Sequence, residues 1–142
     1  MKLKLLKVKE AFGEAICSPK IVAEVMKEEG KIDRECLWVL HLNSGNMIIE
    51  KELVSMGTVN HSVVHPREVF KKAIINGATC IITAHNHPSG RIKPSPEDIE
   101  IWDKLKEAGE ILGIKAIENI ILTPSGEYYS DANDVNRGFR YG

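Results

Sequence analysis

Two histidines one residue apart, His85 and His87, stand at the end of the apolar run TCIITA, and Asp98 follows His87 by eleven residues in the string SPED. Imidazole nitrogens and a carboxylate oxygen are the donors of a catalytic zinc site, which takes three protein ligands and leaves a fourth tetrahedral position to water. A closed structural site would take a fourth side chain. In an extended strand, side chains two apart point the same way, so His85 and His87 converge if strand geometry runs through Asn86. Thr79, Ile81 and Thr83 then share their face, and Cys80 falls on the other. Each half of the pattern also has an ordinary explanation. An H-x-H ahead of a Pro-Ser-Gly turn is common at a surface, and Ser95 with Asp98 matches a helix-capping box. The joint spacing, H-x-H, seven residues, Ser, two residues, Asp, is what points to one metal ion.

Other chemistries written with similar letters do not fit. H-N-H nucleases draw their residues from dispersed positions on a hairpin and a helix, not from three adjacent ones. Zinc deaminases require H-x-E followed by P-C-x-x-C, and Cys17, Cys36 and Cys80 form no such pair. An odd number of cysteines in apolar surroundings suits reduced core thiols better than a disulfide framework.

The elements that must position these groups follow from periodicity. LKLLKVK alternates like an edge strand. SPKIVAEVMKEEG offers Ser18 as N-cap, Pro19 in the first turn, an apolar face through Ile21, Val22, Val25 and Met26, and Gly30 as a stop. ECLWVLHLN and MIIEKELVS flank the reversal NSGN and predict a β-hairpin. HPREVFKKAIINGA predicts a helix opened by Pro66, with Val69, Phe70, Ala73 and Ile74 on one face and Gly77 just past its end. TCIITA is short and β-branched and reads as a buried strand running into the histidines. SPEDIEIWDKLKEAGEILG predicts the longest helix, with a stripe of Ile99, Trp102, Leu105, Ala108, Ile111 and Leu112 and Gly113 as its end. IKAIENIILT and EYYSD, joined by PSG, close the pattern as a hairpin. The order predicts an α/β or α+β domain, a mixed β-sheet sandwiched by helices, over residues 1–130, with 131–142 as a loosely held tail. Ends of buried strands are where such folds place their sites.

Composition sets the outer bounds. A chain of 142 residues that is 43% hydrophobic can enclose one core. A net charge of -1 gives no global positive field to draw in a polyanion, which argues against general nucleic-acid binding. No apolar stretch approaches the roughly 20 residues of a membrane span, so a soluble cytoplasmic protein is expected.

HNHP at His85 to Pro88 followed by SPED at Ser95 to Asp98 resembles the JAMM motif of JAB/MPN-type metalloproteases. HLNSGNMIIEKELVSMGTVNHSVVHPREVF together with AHNHPSGRIKPSPEDIE is similar to the bacterial RadC family, over about Ser18 to Ser130. The resemblance implies a cytidine-deaminase-like sandwich, with one Zn2+ per chain held by His85, His87 and Asp98. It also implies a catalytic glutamate at Glu35, which the residues alone do not single out from Glu50 or Glu52, and an oxyanion-assisting serine at Ser95, whose hydroxyl the cap also claims. His65, ahead of Pro66, is expected to fix a helix entry rather than bind metal; His41 and His61 carry less. The motif commonly has Ser or Thr where this chain has Asn86, which should point away from the metal at little chemical cost. Longer RadC proteins resemble this chain only in their C-terminal part, without the helix-hairpin-helix-like segment that precedes it.

Three activities are therefore weighed. The first is a zinc metallohydrolase cleaving a peptide, isopeptide or related amide bond in an unknown peptide or protein. The second is a metal-binding accessory in DNA repair or recombination with no hydrolysis of its own. The third, a nuclease, would call for a larger basic surface. DNA association has weak support, no membrane is expected, and a homo-oligomer is compatible with everything above.

Overall fold

A computed structural model of the protein describes residues 11, 13, 15–57 and 64–138. The expected first strand, LKLLKVK, lies outside these residues, as does His61. Helix α1 runs Pro19–Val25, opened by Ser18, whose hydroxyl accepts the Ile21 N–H. The helix is shorter than the sequence suggested. Gly30 falls instead in a 3-10 turn, Glu29–Lys31, that leads into the sheet.

Strands β1, Cys36–Leu42, and β2, Ile48–Met56, form the expected hairpin. Its turn works because Asn43 Oδ1 accepts the N–H groups of Gly45 and Met47 while Asn46 takes a positive φ of 59°, a conformation asparagine tolerates. Helix α2, Pro66–Ile75, strand β3, Cys80–Asn86, helix α3, Pro96–Leu112, strand β4, Lys115–Leu122, and strand β5, Tyr128–Ser130, follow in the anticipated order. The sheet order is β2-β1-β3-β4-β5. Pairing is antiparallel throughout except between β3 and β4, which are parallel and joined by α3 as a crossover.

Alternation along the strands makes two apolar layers. Leu37, Val39 and Ile81 meet Phe70, Trp102 and Leu105 of α2 and α3 on one face. Trp38, Leu40, Ile82 and Ile120 meet Val22 and Met26 of α1 on the other. Cys36 and Cys80 belong to the α1 layer, as the period-two argument requires of Cys80. Full burial of one such side chain, Phe70 for instance, is worth roughly 1.5–3 kcal/mol. Strand β3 is buried along its whole length, as befits the central strand of five.

Other expectations are corrected as well. The α3 stripe does not extend to its last turn, where Ile111 and Leu112 are exposed; the inner line is Ile101, Trp102, Leu105 and Gly109. Gly109 lets the helix lie directly on the start of β4, since a Cβ there would overlap the Ile114 carbonyl oxygen and come within 3.2 Å of Ala116 N. Cys17 is exposed rather than in the core. The segment after Ser130 is anchored as far as Arg137, which is buried within a short helix α4, Val135–Gly138. Arg137 Nε donates to Asp131 at 2.6 Å and its Nη2 to Asp103 of α3 at 2.8 Å. Residues 139–142 lie outside the described part. No helix among the described residues is long and apolar enough to cross a membrane.

Candidate metal centre

Strand β3 ends in the two histidines, and its geometry holds through Asn86, so His85 and His87 emerge on one side. Their rings sit edge to face with centroids 4.7 Å apart. The ladder to β4 carries the strand to its last residue, and the His87 N–H still donates to the Leu122 carbonyl at 2.8 Å. After the turn at Pro88–Gly90 the chain returns to open α3.

Asp98 is fixed by the start of that helix. Its Oδ2 accepts the Ser95 N–H at 2.9 Å, and the Ser95 hydroxyl accepts the Asp98 N–H at 3.0 Å, a complete capping box. The cap does not replace the metal reading; it aims the carboxylate. Asp98 Oδ1 lies 3.4 Å from His85 Nδ1 and Oδ2 lies 3.7 Å from His87 Nε2. One donor atom from each of His85, His87 and Asp98 falls within 4.8 Å of the others, the sole such grouping of three or more metal-type side chains among the described residues. Tetrahedral zinc with bonds near 2.1 Å sets its ligand atoms about 3.4 Å apart. The donor set, two imidazoles and a carboxylate, and its spacing therefore fit a divalent ion of that kind.

The electrostatics agree. Burial alone would push the Asp98 carboxyl up, but hydrogen bonds from His85 and His87 and from the Ser95 N–H hold it well below the usual carboxylate range. Asp98 is thus held as an anion. The Asp98 carboxylate, 3.7 Å from Nε2, draws the His87 imidazole above its ordinary value, against burial and with help from the Arg91 carbonyl.

The wall behind the histidines is closed. A cavity of only about 10 Å³, bounded by Leu37, Thr83, His85, Asp98 and Trp102, lies there, at or below the size of one water. Thr83 completes that wall by donating to Asn119 Oδ1 at 2.5 Å. Glu35 stands beside His85 at the exposed edge of the group.

Glu35 precedes β1 and continues the phase of Leu37, which pairs with His85 across the sheet. Its carboxylate lies 3.9 Å from His85 Nε2 with 41% of the side chain exposed. Glu50 and Glu52, indistinguishable from it in the sequence, go elsewhere. They flank buried His41 in a polar cluster: Glu52 meets His41 Nε2 at 3.1 Å, and Glu50 meets Asn76 at 3.2 Å and Lys72 at 2.8 Å. A period-two count back from Leu37 and Val39 puts Glu35 on their face, but only the pairing of Leu37 with His85 shows what that face meets. His65 sits at the α2 N-cap, but its backbone carbonyl does the capping and its side chain makes no cap bond.

Asn86 turns to the other face, as expected, but not idly. It is fully buried and bonds the segment that leads into β1.

A mixed five-stranded sheet with helices on both faces, carrying His-x-His at the end of its central strand and Asp at the start of the next helix, defines a JAB-type domain with a candidate metal centre. A family profile described as RadC-like JAB domain matches residues 16–136, and the chain belongs to that family. It is 53% identical over 98 residues to a UPF0758 protein of Desulforudis audaxviator, covering 69% of this chain and 43% of the relative. It is 46% identical over 123 residues to one of Finegoldia magna, covering 86% and 54%. A third, from Staphylococcus haemolyticus, is 49% identical over 108 residues, covering 75% and 47%. The chain spans about half the length of these curated relatives.

Proposed function

We propose that this domain is a JAMM-type zinc hydrolase that cleaves a peptide, isopeptide or related amide bond in a peptide or protein. The observation that carries the reading is the Glu35 carboxylate, 3.9 Å from His85 on the open side of a buried His-His-Asp group. A zinc ion bound there would supply Lewis acidity and bring the pKa of a water toward about 7.

The chain's own groups do the rest. Glu35 takes a proton from the attacking water as the O–C bond forms, and returns it to the leaving nitrogen as the C–N bond breaks. Its partial exposure lets it meet both water and substrate. The Ser95 hydroxyl uses a lone pair to accept the Asp98 N–H, so its own O–H remains to donate to the carbonyl oxygen as negative charge grows there. Cap and oxyanion donor are thus compatible roles, not rivals. The substrate approaches from the side of the exposed Glu35 carboxylate. We place the domain in the cytoplasm, where three cysteines in no disulfide stay reduced.

Metal analysis with a peptide and isopeptide library tests this. One zinc per chain is expected in wild type and in Glu35→Gln, with cleavage by wild type alone. Zinc without cleavage by either would instead favour a metal-binding accessory of DNA repair or recombination. That second reading draws on relatives of which the matched part of this chain covers only about half. A wild-type protein that takes up no transition metal at neutral pH would defeat both.

A further inference from the structure

Asn86 separates the two histidines and faces away from them. Its Oδ1 accepts the Cys36 N–H at 2.6 Å, and its Nδ2 donates to the carbonyls of Ile32 at 3.0 Å and Arg34 at 2.7 Å. Those three partners bracket Glu35, two ahead of it and one just after. A side-chain amide offers an acceptor and two donors on one planar tip, whereas serine or threonine at this position would bring a single O–H and a shorter reach.

The backbone ladder between β1 and β3 ends at Leu37 and His85. Beyond that pair the Asn86 side chain supplies the next rungs. The same segment is pressed from its other end, where Gly30 lies so close to the β4 terminus that a Cβ would come 3.1 Å from the Thr123 carbonyl oxygen. Cys36 and Asn86 both face the α1 layer, so the alternation of each strand puts Glu35 and His85 together on the opposite face. One clamp therefore sets the height of the segment and the phase of its carboxylate.

We propose that Asn86 is a positioning residue: its amide holds segment 32–36 against the end of β3 so that the Glu35 carboxylate stands beside His85. The catalytic consequence rests on the proton-carrying role proposed for Glu35; the geometric claim does not.

The test compares wild type, Asn86→Ser, Glu35→Gln and the double variant as full chains. Hydrogen exchange at the Cys36 amide, followed by NMR, is expected to accelerate in Asn86→Ser by about tenfold more than at Leu40 and Ile120 in the sheet centre. Zinc stoichiometry should stay at one per chain. Turnover should fall about 10²-fold with KM little changed, the scale of a misplaced reacting group. The double variant should be no slower than Glu35→Gln alone, because residues acting as a unit do not add. Retained Cys36 protection, or a double variant that loses the full factor of both changes, overturns the proposal.

If Glu35→Gln leaves turnover untouched, the hydrolase reading fails, and a crystal structure of Asn86→Ser still decides the position. Withdrawal of the Glu35 carboxylate from His85 supports the clamp, and an unmoved carboxylate refutes it. If Asn86→Ser does not fold, wild type decides: slow exchange of the Asn86 side-chain amide protons supports the clamp, and exchange at the rate of an exposed amide refutes it.

Discussion

The carbonyl of Arg91 lies 2.7 Å from His87 Nδ1. A carbonyl only accepts, so Nδ1 must carry the proton, and Nε2 is left as the basic nitrogen toward Asp98. Such an outer hydrogen bond fixes the tautomer and orientation of a ligand histidine. It also has a pH consequence. Metal-free His87 holds its second proton above the ordinary imidazole value of about 6.5, because the bond to Asp98 favours the cation. Zinc binds the neutral ring and must displace that proton. Zinc affinity should therefore fall as pH drops through and below the raised value, and binding near neutrality should release protons. Calorimetric titrations at pH 6 and 8, in buffers of different ionisation enthalpy, measure both; a buffer-independent heat and a flat affinity would refute the assignment.

His87→Ala and Asp98→Ala should each abolish stoichiometric zinc while leaving the fold in place, since neither side chain belongs to the two apolar layers. They should differ in stability. Asp98 also accepts the Ser95 N–H, so its loss costs the metal-free domain about 1 kcal/mol more from the broken cap. Urea denaturation of the metal-free variants, with metal analysis of each, is the measurement.

Ser95 allows its two roles to be separated. Ser95→Ala should lower stability by about 1 kcal/mol, and Ser95→Gly by only a few tenths, because glycine is tolerated at an N-cap. Both should lose turnover by about 10²-fold if the hydroxyl serves the oxyanion, and Ser95→Thr should restore most of it. Equal turnover in Gly, Ala and wild type would confine Ser95 to the cap.

Gly109→Ala should destabilise the domain even though alanine is the better helix former by about 1 kcal/mol. The added methyl has no room against the Ile114 carbonyl and Ala116 N, and overpacking of this kind costs about 1–3 kcal/mol. Chemical denaturation showing a stabilised variant would mean that α3 can lift from β4.

The candidate metal group was legible because its signal is local: His85, His87 and Asp98 lie on one strand end and the next helix start, within fourteen residues. So were the element order and the two-layer alternation. What escaped depends on partners distant in the chain. Asn86 looks inert until Ile32, Arg34 and Cys36, some fifty residues away, are brought beside it. Glu35 could not be told from Glu50 and Glu52 until β2 carried those two to His41 and Asn76. The C-terminal segment reads as polar and loosely held because the carboxylates that bury Arg137 come from α3 and from the end of β5. The last turn of α3 follows helical periodicity, yet Ile111 there is left exposed among the described residues.

Every proposed functional group falls between residues 35 and 98, yet a fragment cut at Gly113 would contain them all and lack the strand that the end of β3 pairs with. Strand β3 would then have a naked border where β4 now lies, and His87 would lose the Leu122 carbonyl that fixes its backbone. A strand that brings no reactive atom to the site thus holds the backbone of one of its histidines.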